Sequence, residues 1–192
     1  MLRVPCNLCG ESIHPDTAAK NGGLCMPCHG GYRERIEDGK RSRETEKAYK
    51  SSAEHQYWIS LSSKVHGVHN GFNVLSPNEQ TYFALGCLVG EVYNGGLHQF
   101  FFNSSGSMYG AALNGLYELE AHETAGLLSG AKELLFGSPP VPMDTGERRR
   151  LMQARNAPAE LEQLDSAFWK DTEKLGERCK KYAHEHQLYR DA

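Results

Sequence analysis

Four cysteines in the first 28 residues constrain this chain more than any other feature. Cys6-Asn7-Leu8-Cys9 and Cys25-Met26-Pro27-Cys28 are two Cys-x-x-Cys turns with fifteen residues between them. A turn of that spacing brings two thiolates onto one cation while backbone amides hydrogen-bond the sulfurs, and two such turns close a tetrahedral four-sulfur site. Four thiolates suit Zn2+ first and iron second. Four protein ligands leave no open position for water, so one structural zinc per chain is expected on Cys6, Cys9, Cys25 and Cys28. Gly10 and Gly30 are the expected sites of backbone freedom in these knuckles. His14 and His29 lie near enough to replace a cysteine, but the symmetric spacing favours four sulfurs. A segment of about 30 residues cannot fold on apolar burial alone, so metal binding and folding should be one event. The alternative is a redox dithiol pair. Cys87 and Cys179 stand alone and are expected as small buried hydrophobes on helices.

Charge divides the rest of the 192 residues unevenly. Net charge is −3 overall, yet residues 1–50 carry +2 and residues 51–136 carry −5, with only Lys64 and Lys132 against seven glutamates. Residues 33–56 mix Arg33, Arg35, Lys40, Arg41 and Arg43 with glutamates and few apolar side chains. This pattern predicts a solvated helix or charged linker between a zinc ribbon at 1–32 and a main domain at 57–192. The same cations could extend a direct nucleic-acid contact from the ribbon, although interleaved acids cancel most of that field. The longest apolar runs fall well short of a membrane span, and the first residues hold no apolar leader, so a cytoplasmic protein is expected.

Helical periodicity governs the main domain. Tyr57, Trp58, Ile59, Leu61 and Val65 recur at helical spacing, and the glycines of residues 66–72 predict a loop carrying His66 and His69. Ser76-Pro77-Asn78-Glu79 reads as a helix start, with Ser at the N-cap, Pro in the first turn and Glu completing a capping box. The apolar series from Tyr82 to Tyr93 then runs into Asn94-Gly95-Gly96, where Asn94 and Gly95 are expected to take positive φ and stop the helix. Further helices are expected through Met108–Leu119, from Ala121 or His122 to Phe136, from Asp144, through Leu161 and Leu164, and over about residues 171–187. No segment alternates with period two. The fold class is therefore mainly α, a small N-terminal zinc ribbon followed by an all-helical domain.

Between two of these helices lies His98-Gln99-Phe100-Phe101-Phe102-Asn103-Ser104-Ser105-Gly106. Three adjacent phenylalanines predict a buried junction, and Asn103 is expected to begin the next turn or cap the next helix. Glu91, Tyr93-Asn94-Gly95-Gly96, His98-Gln99, Phe101-Phe102-Asn103 and the Ser-Gly that follows resemble the signature of the bacterial DNA-mimic protein family, over about residues 52–190. Leu164-Asp165-Ser166-Ala167-Phe168-Trp169 resembles that family's second, weaker marker. The resemblance implies an all-helical unit that works by binding. In this role, surface carboxylates stand in for DNA phosphates and occupy the DNA site of a DNA-binding protein. Glu79, Glu91, Glu118, Glu120, Glu123 and Glu133 are the candidates, with Glu120 and Glu123 expected on one helix face.

No phosphate-binding glycine loop, dinucleotide fingerprint, nucleophile elbow or His-Glu metal motif is present. A non-enzyme is therefore expected, with no catalytic residues assigned. The candidate partner contacts are Glu91, Asn94, His98, Gln99, Glu118, Glu120 and Glu123, and the expected partner is a protein. Direct nucleic-acid binding through residues 33–43 and an enzyme with its site at residues 91–103 stand as alternatives, and a homodimer is left open.

Overall fold

The computed structural model describes residues 2–68, 70–155 and 158–190. His69, in the expected loop, and the Asn156-Ala157 break lie outside them. The chain divides into two compact units, Met1–Ser52 and Ala53–Ala192.

In the first unit, β1 (Val4–Pro5) pairs antiparallel with β2 (Ser12–Ile13), Val4 facing Ile13. Helix α1 (Pro15–Lys20) starts at His14, whose Nδ1 accepts from the Asp16 N–H at 3.3 Å. That histidine is a cap. Helix α2 (Met26–His29) carries the second cysteine pair, and α3 (Arg33–Lys50) follows with no buried residue. Four of its seven cations are tied to nearby acids: Arg33 to Glu11 and Glu37, Lys40 to Glu37, Arg41 to Asp38 and Lys50 to Glu46. Pairs at i, i+3 and i, i+4 suit an exposed helix of this composition.

The second unit is all helix among the described residues: α4 (Ala53–Gly67), α5 (Pro77–Phe102), α6 (Tyr109–Glu118), α7 (His122–Phe136), α8 (Thr145–Arg155), α9 (Pro158–Phe168) and α10 (Leu175–Glu185). Short 3-10 turns at Gly71–Val74 and Ser104–Met108 precede α5 and α6. Helix α5 is the axis of the unit and packs against each of the other six helices. Its buried row, Leu85, Leu88, Val92, Leu97, Phe100 and Phe101, has no accessible surface. The capping box forms as expected: the Ser76 N–H donates to the Glu79 carboxylate at 2.8 Å, and the Glu79 N–H returns to Ser76 Oγ at 3.4 Å.

Several expectations are corrected. Helix α4 continues through His66 and Gly67, so the expected loop is shorter. Asn94-Gly95-Gly96 bends α5 without stopping it. Gly95 is extended (φ −164°), and Gly96, not Asn94 or Gly95, takes positive φ (77°, with ψ 177°) before helix resumes at Leu97. The resumed helix has an external cap, because Asp165 Oδ1 accepts the Leu97 N–H at 2.7 Å. A Cβ at Gly96 would lie 2.3 Å from Asp165 Oδ2, so glycine is needed for conformation and for approach. The last helix begins at Leu175, four residues late, because Asp171 and Lys174 are left-handed.

Candidate functional site

The cysteine centre is assembled by two dissimilar turns. After Cys6 the backbone folds back, Gly10 N–H donating to Cys6 O at 2.9 Å with Gly10 at φ 75°. After Cys25 the first turn of α2 carries Cys28 round, His29 N–H donating to Cys25 O at 2.9 Å. Here the positive φ belongs to Gly31 (70°), not to the expected Gly30. Gly30 is required for another reason, since a Cβ would lie 2.4 Å from the Tyr32 ring.

All four Sγ atoms lie within 4.8 Å of one another, and Cys9 Sγ is 3.7 Å from Cys25 Sγ. Sulfurs on a tetrahedral Zn2+ at about 2.3 Å stand roughly 3.8 Å apart, so the cluster has the dimensions of a bound cation. Cys25 N–H donates to Cys6 Sγ at 3.2 Å, an amide placed for a thiolate. Backbone amides, that of Cys9 foremost, pull Cys6 down to about 6; burial and the neighbouring sulfurs push Cys28 up to about 12. Four acidic groups in so small a volume resist full ionisation unless a cation joins them. Cys6, Cys25 and Ile13 form a miniature core with Ala18 and Leu24. Cys6, Cys9, Cys25 and Cys28 fit a metal ion.

In the helical unit the polar signature residues converge. Glu91 Oε2 accepts from Gln99 Nε2 at 2.6 Å and Asn103 Nδ2 at 2.9 Å, and Oε1 accepts from Ser105 Oγ at 2.8 Å. The bend at Gly96 carries residues 99–105 back past Glu91, which a straight α5 would leave behind. Asn103 begins the Ser104–Met108 turn as expected, its carbonyl accepting the Gly106 N–H at 3.2 Å, but its side chain donates to Glu91 and makes no cap hydrogen bond. The second marker meets the first: Asp165 caps Leu97, Trp169 Nε1 donates to Val92 O at 3.1 Å, and Phe168 stands edge-on to Tyr93.

The remaining expected contacts separate. Asn94 is exposed at the bend, and His98 is exposed and stacks on Phe102 with ring centroids 5.7 Å apart. Phe100 and Phe101 are fully buried, whereas Phe102 is only half-buried and carries Arg149 over its ring at 4.1 Å. Glu118, Glu120 and Glu123 are exposed around the α6–α7 corner. Glu120 and Glu123 do not share a helix face, because Glu120 is left-handed (φ 56°) between the helices. Glu118 lies 3.9 Å from His186, and Glu123 accepts from the Thr172 hydroxyl at 2.7 Å. None of the three pairs with a lysine or arginine among the described residues. Glu79 and Glu133 instead face Lys64 and Lys132.

Two side chains that hold the helical unit together gave no clear sequence signal. Arg148 is fully buried, one of three consecutive arginines. Its guanidinium donates to the carbonyls of Phe101, Pro142, Met143 and Asn103 and to the Thr145 hydroxyl, at 2.7–3.0 Å. Glu173 supplies the cap that Ala121 cannot, accepting from the Glu123 and Thr124 N–H groups at 3.1 and 2.8 Å and from Thr124 Oγ1 at 2.7 Å. Burial alone would raise Glu173, but these bonds outweigh it and hold the carboxyl below its ordinary value.

The chain is thus a mainly α protein with a four-cysteine cluster of metal-site dimensions and, on its helical unit, an exposed acidic corner. The family model for DMP19-like protein matches residues 73–186, more than half of the chain, and this protein belongs to that family. The match spans the α5 signature and the Asp165–Trp169 marker and leaves the cysteine unit outside. No curated protein and no solved structure matches the chain. Among the described residues, no helix is long and apolar enough to cross a membrane.

Proposed function

We propose that this chain is a non-catalytic binding protein whose helical unit occupies the DNA site of a DNA-binding protein. The observation that carries the reading is the exposed corner of Glu118, Glu120 and Glu123, three carboxylates not neutralised by any described lysine or arginine. Carboxylates held that way can pair with the cations that otherwise contact phosphates. Membership in the DMP19-like family supports it. The Gln99 amide is spent on Glu91, whereas Asn94 and His98 are exposed and remain open for contact. The cysteine unit holds one structural Zn2+ on Cys6, Cys9, Cys25 and Cys28. That ion crosslinks a fold too small to stand on burial. Arg33, Lys40 and Arg41, three of the five candidate cations, are each paired with an acid of the same helix, which argues against α3 as a nucleic-acid contact.

The test is a pull-down from host lysate with excess DNA as competitor, alongside a Glu118→Gln, Glu120→Gln, Glu123→Gln variant. A captured DNA-binding protein that DNA displaces and the variant fails to hold supports the reading. Capture indifferent to both overturns it. Recovery of nucleic acid itself, lost at higher salt, moves the function to the cysteine unit.

A further inference from the structure

A cavity of about 750 Å³ opens beside α5, bounded by residues 65–143. That volume is typical of small-molecule sites. Phe72, Phe83, Met108, Tyr109 and Val141 give it apolar and aromatic walls, and Cys87 and Glu91 reach it from α5. Burial and the charge of Glu91 push the Cys87 thiol up to about 12, and burial also raises the Tyr109 hydroxyl, so both stay neutral at pH 7. Lys132, on another wall, is engaged by the carbonyls of Gly137 and Ser138 at 2.6 and 3.2 Å and faces Glu133 at 3.5 Å. His66 lies exposed at the rim.

Glu91 differs from all of these. It accepts three hydrogen bonds, each from a neutral side chain, and no cation is paired with it among the described residues. An ionised carboxylate has about four acceptor positions, so one is left for a ligand. The three donors also fix the carboxylate, so a ligand would not have to order it. We propose that this cavity binds a small organic cation, its ammonium group on Glu91 and its apolar or aromatic body against Phe72, Phe83 and Tyr109. A charge-assisted hydrogen bond supplies the selectivity for charge, and the rings add cation–π attraction.

The test is an NMR titration of the full chain with phenethylamine, its neutral counterpart phenethyl alcohol and the anionic 3-phenylpropionate. Saturable shifts confined to cavity amides are expected, with the amine bound about tenfold or more tighter than the alcohol. Glu91→Gln should erase that preference while alcohol binding persists. Gly110 lines the cavity and a Cβ there meets nothing within 4 Å, so Gly110→Phe adds bulk without a backbone clash and should weaken all binding. An amine no tighter than the alcohol, a preference surviving Glu91→Gln, or full binding by Gly110→Phe overturns the proposal. These readouts are independent of any DNA-binding partner.

Discussion

A guanidinium with no accessible surface needs an acceptor for each of its five N–H groups, and Arg148 has five contacts to neutral oxygens. Two of these oxygens, on Phe101 and Asn103, belong to the carbonyl end of α5, where the helix dipole favours a cation. Burial still draws its pKa below the ordinary arginine value. Arg148→Met should therefore cost about 3 kcal/mol or more in urea unfolding, since several carbonyls lose their donor at once. Lysine should not rescue it, lacking the planar fork. Phe101→Ala, at a ring in contact with Phe100, Tyr109 and Phe136, should cost about 3–5 kcal/mol by the same measurement. Gly96→Ala should cost about 1–3 kcal/mol from backbone strain, plus the displacement of Asp165. An unchanged stability in this last variant would mean that the bend does not depend on glycine.

Helix ends are completed from far along the chain. Helix α7 starts without a side-chain cap of its own and receives Glu173 across 50 residues. Glu173→Ala should cost about 1 kcal/mol at neutral pH, the usual worth of a helix cap. The sign of its pH dependence follows from the lowered pKa. A carboxyl depressed in the folded state stabilises above its unfolded value, about 4.3, and that contribution fades as pH falls through the folded value. The stability gap between parent and variant should thus be full at pH 7 and shrink below about pH 4. A gap that holds at pH 3 would assign Glu173 a packing role. In the same way Asp165 caps the resumed part of α5, making the bend a joint between two sequence markers nearly 70 residues apart.

The two units should respond differently to metal removal. Chelation, or Cys25→Ser, should unfold residues 1–32 and leave the main melting transition of the helical unit in place. Metal analysis of the purified chain should find one zinc per molecule. A chain that purifies without metal yet keeps a folded cysteine unit would overturn the structural-zinc reading. Acid should release the ion, because protons compete for the thiolates.

Much was legible in sequence because it is local. Cysteine spacing, the capping box at Ser76 and the 3.6-residue apolar rows each act over a few residues, so the four-sulfur cluster and the order of helices follow from composition and period. Asn94-Gly95-Gly96 marked the correct place but not the outcome. A glycine pair permits a stop or a bend, and Asp165 arriving from a distant helix decides which. Nothing in the run Arg148-Arg149-Arg150 singles out the first, and only the carbonyls gathered by α5 and the connector before α8 make it core. Likewise Glu91 is one acid among seven in its stretch until the bend brings Gln99, Asn103 and Ser105 to it. Periodicity and spacing are short-range statistics. Hydrogen bonds between residues 45 to 77 positions apart belong to the tertiary structure alone.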